Sequence, residues 1–516
     1  MTSVAGAPAA ARQEGGLALS SAAGRWVLLA TVLGSAITAI DATVVGIALP
    51  SIGTEFGTGL AALQWVVTAY TLTLAGFLLV AGALGDRYGR RRVFIIGVTW
   101  FAVASLLCGI APSAPLLITA RALQGIGGAL LMPGSLAILQ ASFTPDDRGR
   151  AIGAWSGLGG VATAIGPFVG GWLVQAASWR LIFYINLPIA GAVVAIAARR
   201  VPESRDPAAR GRVDLPGSLL VTVGLVGVTF GLTEGPALGW SSLGVLGALA
   251  AGVVSLAVFA WHERRASNPM LPVGIFASGQ FAATNAVTFI VYGALGGALF
   301  LLPIELQQVS GYTPLQAGVS LLPVTVIMLA LSARSGALAA RIGPRLQMSI
   351  GPILIGAGLA LAARIGPSGS YLTEVLPGVL VFGLGLAATV APLTSTALAA
   401  APSQHAGIAS AINNDVARAA GLIAVAVLPA AAGITGYAYQ HPSAFDHGFT
   451  TAVLLAAAIC ALGGCLAAIT IRNPPGKPSS RERPCFNCAM DASALIGSTE
   501  GSLGGRRSAA GTRGRR

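Results

Sequence analysis

Gly82-Ala83-Leu84-Gly85-Asp86-Arg87-Tyr88-Gly89-Arg90-Arg91 and Gly336-Ala337-Leu338-Ala339-Ala340-Arg341-Ile342-Gly343-Pro344-Arg345 are two copies of one short basic loop. Six of the ten positions are identical, and each copy lies between two long apolar runs. A duplicated loop of this kind marks a duplicated membrane bundle, and internal repeats are a hallmark of secondary transporters. Working outward, the runs on either side are long enough to cross a hydrocarbon core, which needs about 20 helical residues. They are apolar throughout, as in Val93 to Ala111, without the period-two alternation of a lipid-facing barrel. The expected fold class is all-α, a polytopic bundle of membrane helices.

Composition agrees. The chain has 516 residues, 54% apolar and only 9% charged, against about 25% charged in soluble proteins. Its 69 glycines would weaken soluble helices, but in a membrane small residues let helix backbones approach closely. The net charge of +13 is carried almost wholly by arginine and sits in loops. Topology therefore explains it better than nucleic-acid binding. Cys108, Cys460 and Cys465 fall in apolar runs and are expected to pack as small hydrophobes. Cys485 and Cys488 form a lone CxxC, which lacks the second pair that a zinc site needs.

We count fourteen apolar spans, from 26–49 and 61–83 to 408–432 and 449–471. One set of loops holds Arg87, Arg90, Arg91, Arg92, Arg148, Arg150, Arg199, Arg200, Arg264, Arg265, Arg334, Arg341 and Arg345. The opposite set holds Arg180 and Arg364. The positive-inside rule puts the first set, and both termini, in the cytoplasm of a bacterial cell. The two repeat copies must face the same side, so an even number of spans separates them. Eight spans lie between them, where a plain duplication of six would give six. The surplus is a linking pair near 215–234 and 243–261. The expected organisation is an unstructured 1–24, a first six-helix half at 25–200, two linking helices at 201–265, a second half at 266–472, and a disordered basic tail at 473–516.

Several polar groups stand inside or beside the spans. Asp41 lies in the first, and an intramembrane carboxylate is by default a functional candidate. Burial pushes such a group toward loading and releasing a proton. Arg121 in span four carries an insertion cost of about 2.5–3.5 kcal/mol. It stands within two turns of the span's outer end, so snorkelling would reduce that cost, and it is a candidate to tune the carboxylate. Glu305 follows Pro303 near an outer end, where it is expected to reach water. Asp415 and Arg418 are three residues apart and are expected to pair on one helix face. Glu305 and Asp415 stand beside Asp41 as further proton-coupling candidates. Gln124, Trp65, Tyr70, Trp155 and Asn413 are candidates for a substrate cavity. Gly85, Asp86, Arg87, Gly89, Arg90 and Arg91 form a charge clasp at the inner end. Ala340 replaces the acid in the second copy, so that half is expected to lack the full clasp.

The loop 85–92 resembles the signature between spans two and three of the major facilitator superfamily. The stripe Ala162, Gly166, Pro167, Gly170 and Gly171 is similar to the antiporter motif of its drug–proton exporters. Arg121-Ala122-Leu123-Gln124-Gly125 is similar to the family's span-four motif. Ile40-Asp41-Ala42-Thr43-Val44-Val45-Gly46, Ser178 to Pro188 and Leu306 to Gly318 resemble the fourteen-span drug–proton antiporter group. That group usually has Asn where Gly46 stands. The resemblance implies a proton-coupled exporter of hydrophobic or amphipathic small molecules, with the bilayer, protons and substrate as partners. It implies a monomer with no cofactor, no nucleic acid and no enzymatic activity. A dedicated exporter of one endogenous metabolite and a non-transporting sensor on the same bundle remain alternatives, with an importer weaker. No GxxxxGK[ST] phosphate loop occurs, so energy must come from an ion gradient. One proton crossing 100 mV supplies about 2.3 kcal/mol, enough for a substrate gradient of roughly 40-fold.

Overall fold

The computed structural model describes residues 16–205, 214–266, 269, 271–401 and 406–473. Among the described residues, fourteen helices are long and apolar enough to cross a membrane. They are α1 (Ala22–Phe56), α2 (Leu60–Tyr88), α3 (Arg90–Gly109), α4 (Ala114–Ser142), α5 (Pro145–Ala176), α6 (Leu181–Arg200), α7 (Leu215–Leu238) and α8 (Leu243–Arg265). The series continues with α9 (Gly279–Gln308), α10 (Pro314–Ile342), α11 (Arg345–Ala362), α12 (Tyr371–Ala399), α13 (Ile408–Ala431) and α14 (Pro442–Thr470). Several helices, α1 and α2 among them, extend beyond their apolar runs, because their polar ends also hold helical hydrogen bonds. The CxxC at Cys485 and Cys488 lies outside the described residues.

Part of the segment expected to be unstructured is ordered. Leu17 accepts from Thr144 N–H and donates to the Ser142 carbonyl at 2.7 Å. Ser21 then caps α1 through Gly24 N–H. The backbone groups of Leu17 and Leu19 thus find partners at the α4–α5 turn, which composition could not reveal.

The repeat is visible in three dimensions. Gly89 ends α2 at φ +116°, and Gly343 ends α10 at φ +87°. Both angles favour glycine. Arg91 donates to the Val201 carbonyl just past the end of α6, at 3.1 Å. Arg345, its repeat equivalent, donates to the Ala468 carbonyl near the end of α14, at 2.9 Å. Each copy therefore ties a loop to the last helix of its own half.

Proline marks where helices break. Pro188 has no N–H for the Tyr184 carbonyl, and α6 is interrupted at Ile185. Pro323 similarly follows the break in α10 at Leu321. A capping box between Thr313 and Gln316, with Pro314 as first helical residue, starts α10.

The linking helices α7 and α8 pack closely. A Cβ at Gly227 would lie 2.9 Å from Gly252 Cα, and one at Gly252 would lie 2.6 Å from Val228 N. The pair lies along both halves. Ser218 Oγ donates to the Gly76 carbonyl of α2, and Leu225 shares a cluster with Leu72 of α2 and Leu422 of α13. At its arginine-rich end, Asp214 caps α7 through Gly217 N–H and meets His262 Nε2 at 3.0 Å. Cys108 and Cys460 are buried as expected, but Cys465 is exposed on α14.

The halves meet at the ends away from the arginine-rich loops. Gln307 Nε2 donates to the Ile47 carbonyl at 3.0 Å and Gln64 Nε2 to the Val425 carbonyl at 2.6 Å. Leu315 N–H reaches Gln175 Oε1 at 3.3 Å. Toward the arginine-rich face the glycines of α5 stand clear. No atom lies within 4 Å of a Cβ placed at Gly153, Gly157, Gly159 or Gly160. These contacts join the halves at the face away from the arginine-rich loops, and the inner half of α5 makes no such close approach at these glycines.

Candidate functional site

A charged cluster lies buried within the first half. Asp41 on α1 is 0% exposed and Arg121 on α4 is 1% exposed. Arg121 Nη1 sits 2.5 Å from Asp41 Oδ2. The guanidinium does not snorkel to the helix end. Its stem folds inward because Nε finds the Val66 carbonyl of α2 at 3.0 Å, and the same Nη1 also meets Gln124 Oε1 at 2.6 Å. The Tyr70 ring lies 4.3 Å from the guanidinium carbon and supplies a cation–π contact.

Gln124 Nε2 donates to Asp41 Oδ1 at 2.8 Å and to Ser105 Oγ at 2.7 Å. Gln124, read as a cavity residue, is thus fully buried and completes the ion-pair network. Helical spacing explains it: Arg121 and Gln124 are three apart and share one face of α4. Asn186, placed at the break in α6, donates to Ser105 Oγ at 3.1 Å and approaches Asp41 Oδ1 at 3.5 Å. Its own Oδ1 is buried and has no partner. Ser105 and Asn186 escaped the sequence reading. A lone Ser in an apolar span carries no signal, whereas an Asn two residues before an intrahelical Pro does carry one.

A cavity of about 310 Å³ lies between the halves. Its wall includes Arg121, Tyr70, Thr43, Thr68, Pro303 and Arg418, but not Asp41, which lies behind the arginine. An apolar pocket of about 160 Å³, lined by Leu359, Phe382 and Val453, shares Pro167, Leu299 and Leu321 with it.

The other cavity candidates lie elsewhere. Trp65 donates to Glu234 on the linking helix α7 at 2.8 Å. Trp155 donates to Ser35 at 2.9 Å. Asn413 joins Asn285 and Thr288 on α9. Indole and amide donors within a bundle are held by neighbouring acceptors, and that satisfaction draws them from the cavity. Of the five candidates, only Tyr70 is in the wall.

Two acidic expectations are also corrected. Glu305 does not reach water: it is 0% exposed, neither carboxylate oxygen has a partner in hydrogen-bonding geometry among the described residues, and Asp446 on α14 is its acidic neighbour. Pro303 sets it on the inward face of α9, where the halves close. Asp415 and Arg418 do not pair. Asp415 Oδ1 and Arg418 Nε have no partner, and Arg418 Nη2 turns to the Met132 sulfur on α4 at 3.3 Å.

The basic loop forms a clasp within its own half. Asp86 Oδ1 binds Arg90 at 2.8 Å, and Arg87 lies over the Tyr88 ring. Glu203, which follows α6 and was not anticipated, accepts from Arg91 N–H at 3.0 Å and lies 3.8 Å from Arg92 Nε. A Cβ at Gly89 would stand 2.7 Å from Glu203 Oε1. No atom lies within 4 Å of a Cβ at Gly85.

The stripe on α5 serves two contacts. A Cβ at Gly170 would lie 2.9 Å from Val44 on α1, and one at Gly166 would collide with the Thr43 hydroxyl. Gly171 packs on the Pro314 carbonyl, and the Pro167 carbonyl packs on Gly318 of α10. Ala162, one turn earlier, is buried. The stripe joins α1 on one side and the second half on the other.

A duplicated bundle with a cavity between its halves, Arg121 in the cavity wall and the buried Asp41 behind it, is the architecture of a membrane transporter. Residues 31–426 match the Major Facilitator Superfamily, and the chain belongs to it. It is 39% identical to the multidrug resistance protein Stp of Mycobacterium tuberculosis over 75% of this chain and 71% of that one. It is 35% identical to the tetracenomycin C resistance and export protein of Streptomyces glaucescens, over 78% and 74%. A bacterial homolog of the human lysosomal transporter Spinster superposes with TM-score 0.59 at 16% identity, covering 87% of this chain and 97% of that one. With such relatives, the chain is an efflux transporter of this superfamily.

Proposed function

We propose that the chain exports amphipathic small molecules across the bacterial cytoplasmic membrane in exchange for protons, as a monomer with both termini in the cytoplasm. The positive-inside rule supports placing the arginine-rich face in the cytoplasm, and the sealed contacts between the halves would then lie at the outer face. The observation that carries this reading is the buried Asp41–Arg121 pair, with Arg121 in the cavity wall and Asp41 directly behind it.

A buried ion pair is a poor device for stability, because desolvation offsets its attraction. It is a good device for a two-state element. While Asp41 is ionised, Arg121 binds it and draws α1 and α4 together. A proton on Asp41 removes that attraction. Arg121 keeps the Val66 carbonyl, Gln124 Oε1 and the Tyr70 ring, so its charge is not abandoned. The protonated carboxyl gains a donor, and the unpartnered Oδ1 of Asn186 is an acceptor beside it. Both protonation states thus find hydrogen bonds, which a reversible proton site requires. The shift loosens α1 against α4, and α1 packs on the α5 stripe that seals the two halves.

The test is drug-loaded cells expressing wild type or Asp41→Asn. Wild type should lower accumulation of chemically unrelated amphipathic compounds, and collapse of the proton gradient should abolish the effect. Protection against one compound alone would point to a dedicated exporter. An intact phenotype in Asp41→Asn would contradict the proton role.

A further inference from the structure

We propose that the central cavity selects amphiphiles with an acidic or acceptor-rich head, such as carboxylate or phenolate, and disfavours lipophilic cations. The inference rests on the export reading above and names the substrate class of that same cavity.

Two charged side chains line the cavity, and both are cationic. Arg121 is matched by Asp41, which lies behind it and contributes nothing to the wall. Arg418 makes no ion pair among the described residues, although Asp415 lies within electrostatic reach of it. Its Nη2 meets only a methionine sulfur, a weak acceptor. Its Nε is buried without a partner. Asp415, one turn earlier on α13, forms no ion pair with it and is absent from the wall. A guanidinium carries five donors in a fixed fork, suited to two acceptor atoms of one group. Tyr70 lies in the same wall, and its buried hydroxyl also lacks a partner. A buried donor left unpaired is costly, and a bound acceptor relieves that cost.

The rest of the ligand is defined by the adjoining pocket. Phe382, Leu359 and Val453 line it, and its wall continues into the cavity through Pro167, Leu299 and Leu321. A flat or branched hydrocarbon body fits there while the head faces Arg418. A fixed positive charge in that position would face the like charge of the Arg418 guanidinium.

The experiment uses energised everted vesicles containing the full chain and two probes on one skeleton, pyrenebutanoate and pyrenebutyl-trimethylammonium. Vesicles without the protein provide the baseline. The expected result is proton-driven accumulation of the acid roughly tenfold above that of the cation, the size of a charge-assisted hydrogen bond. Arg418→Gln should bring the two within about twofold, and Arg418→Lys should retain most of the preference for the acid. The cation moving as well as or better than the acid overturns the proposal while export stands. An unchanged preference in a well-folded Arg418→Gln also overturns it. Movement of neither probe contradicts the export reading itself.

Discussion

Arg121 Nη1 lies 2.5 Å from Asp41 Oδ2, with both side chains essentially inaccessible to solvent. Arg121 is therefore the counter-ion of a carboxylate that solvent does not reach. Arg121→Gln leaves a buried carboxylate without its counter-ion and should cost about 3–5 kcal/mol of stability. The double variant Asp41→Asn/Arg121→Gln should recover most of that loss while remaining inactive in exchange. Thermal unfolding of the four proteins in detergent measures the coupling. Additive losses would show that the pair is not energetically linked.

At the clasp, two neighbouring glycines should behave differently. Gly89 combines φ +116° with a projected Cβ contact to Glu203. Gly89→Ala should lower stability by about 1–3 kcal/mol. Gly85 sits in a helix with open space around it, so Gly85→Ala should be neutral or slightly stabilising. Equal effects at the two sites in a melting experiment would contradict the clasp geometry.

The seal between halves rests on Gly318 against the Pro167 carbonyl. Gly318→Leu removes that close approach and should hold the cleft from closing at the face away from the arginine-rich loops. Thiol labelling of a cysteine placed at Gln307 should then rise about tenfold, the range of a closed state losing roughly 1.4 kcal/mol. Gly153→Leu, in open space, should leave labelling unchanged.

Glu305 and Asp446 present acceptors to each other with no donor on Glu305. Glu305→Gln supplies an N–H toward Asp446 at nearly constant volume and should raise stability by about 1 kcal/mol. A drop in melting temperature would show that a donor is already in place.

Much of this was legible in the sequence because it is written in linear order. The twin loops fixed the duplication, and arginine placement fixed which ends share a face. Asp41 and Arg121 stood out because a charge within an apolar span demands a partner. Their network did not stand out. Ser105 and Asn186 are single polar residues brought together by packing of α3, α4 and α6, and Glu203 lies beyond a span end. Aromatic side chains misled for the converse reason. Trp65 and Trp155 satisfy their indole donors at Glu234 and Ser35, contacts that sequence spacing does not encode. Arg418 left its expected partner because the helix face of a three-residue spacing allows a pair without requiring one.

The proton role of Asp41 is tested most directly by following pH inside everted vesicles when an exported compound is added to an imposed gradient. The wild-type chain should dissipate the gradient on each addition, and Asp41→Asn should bind the compound yet move no protons. Equal proton movement by the two proteins would contradict the account.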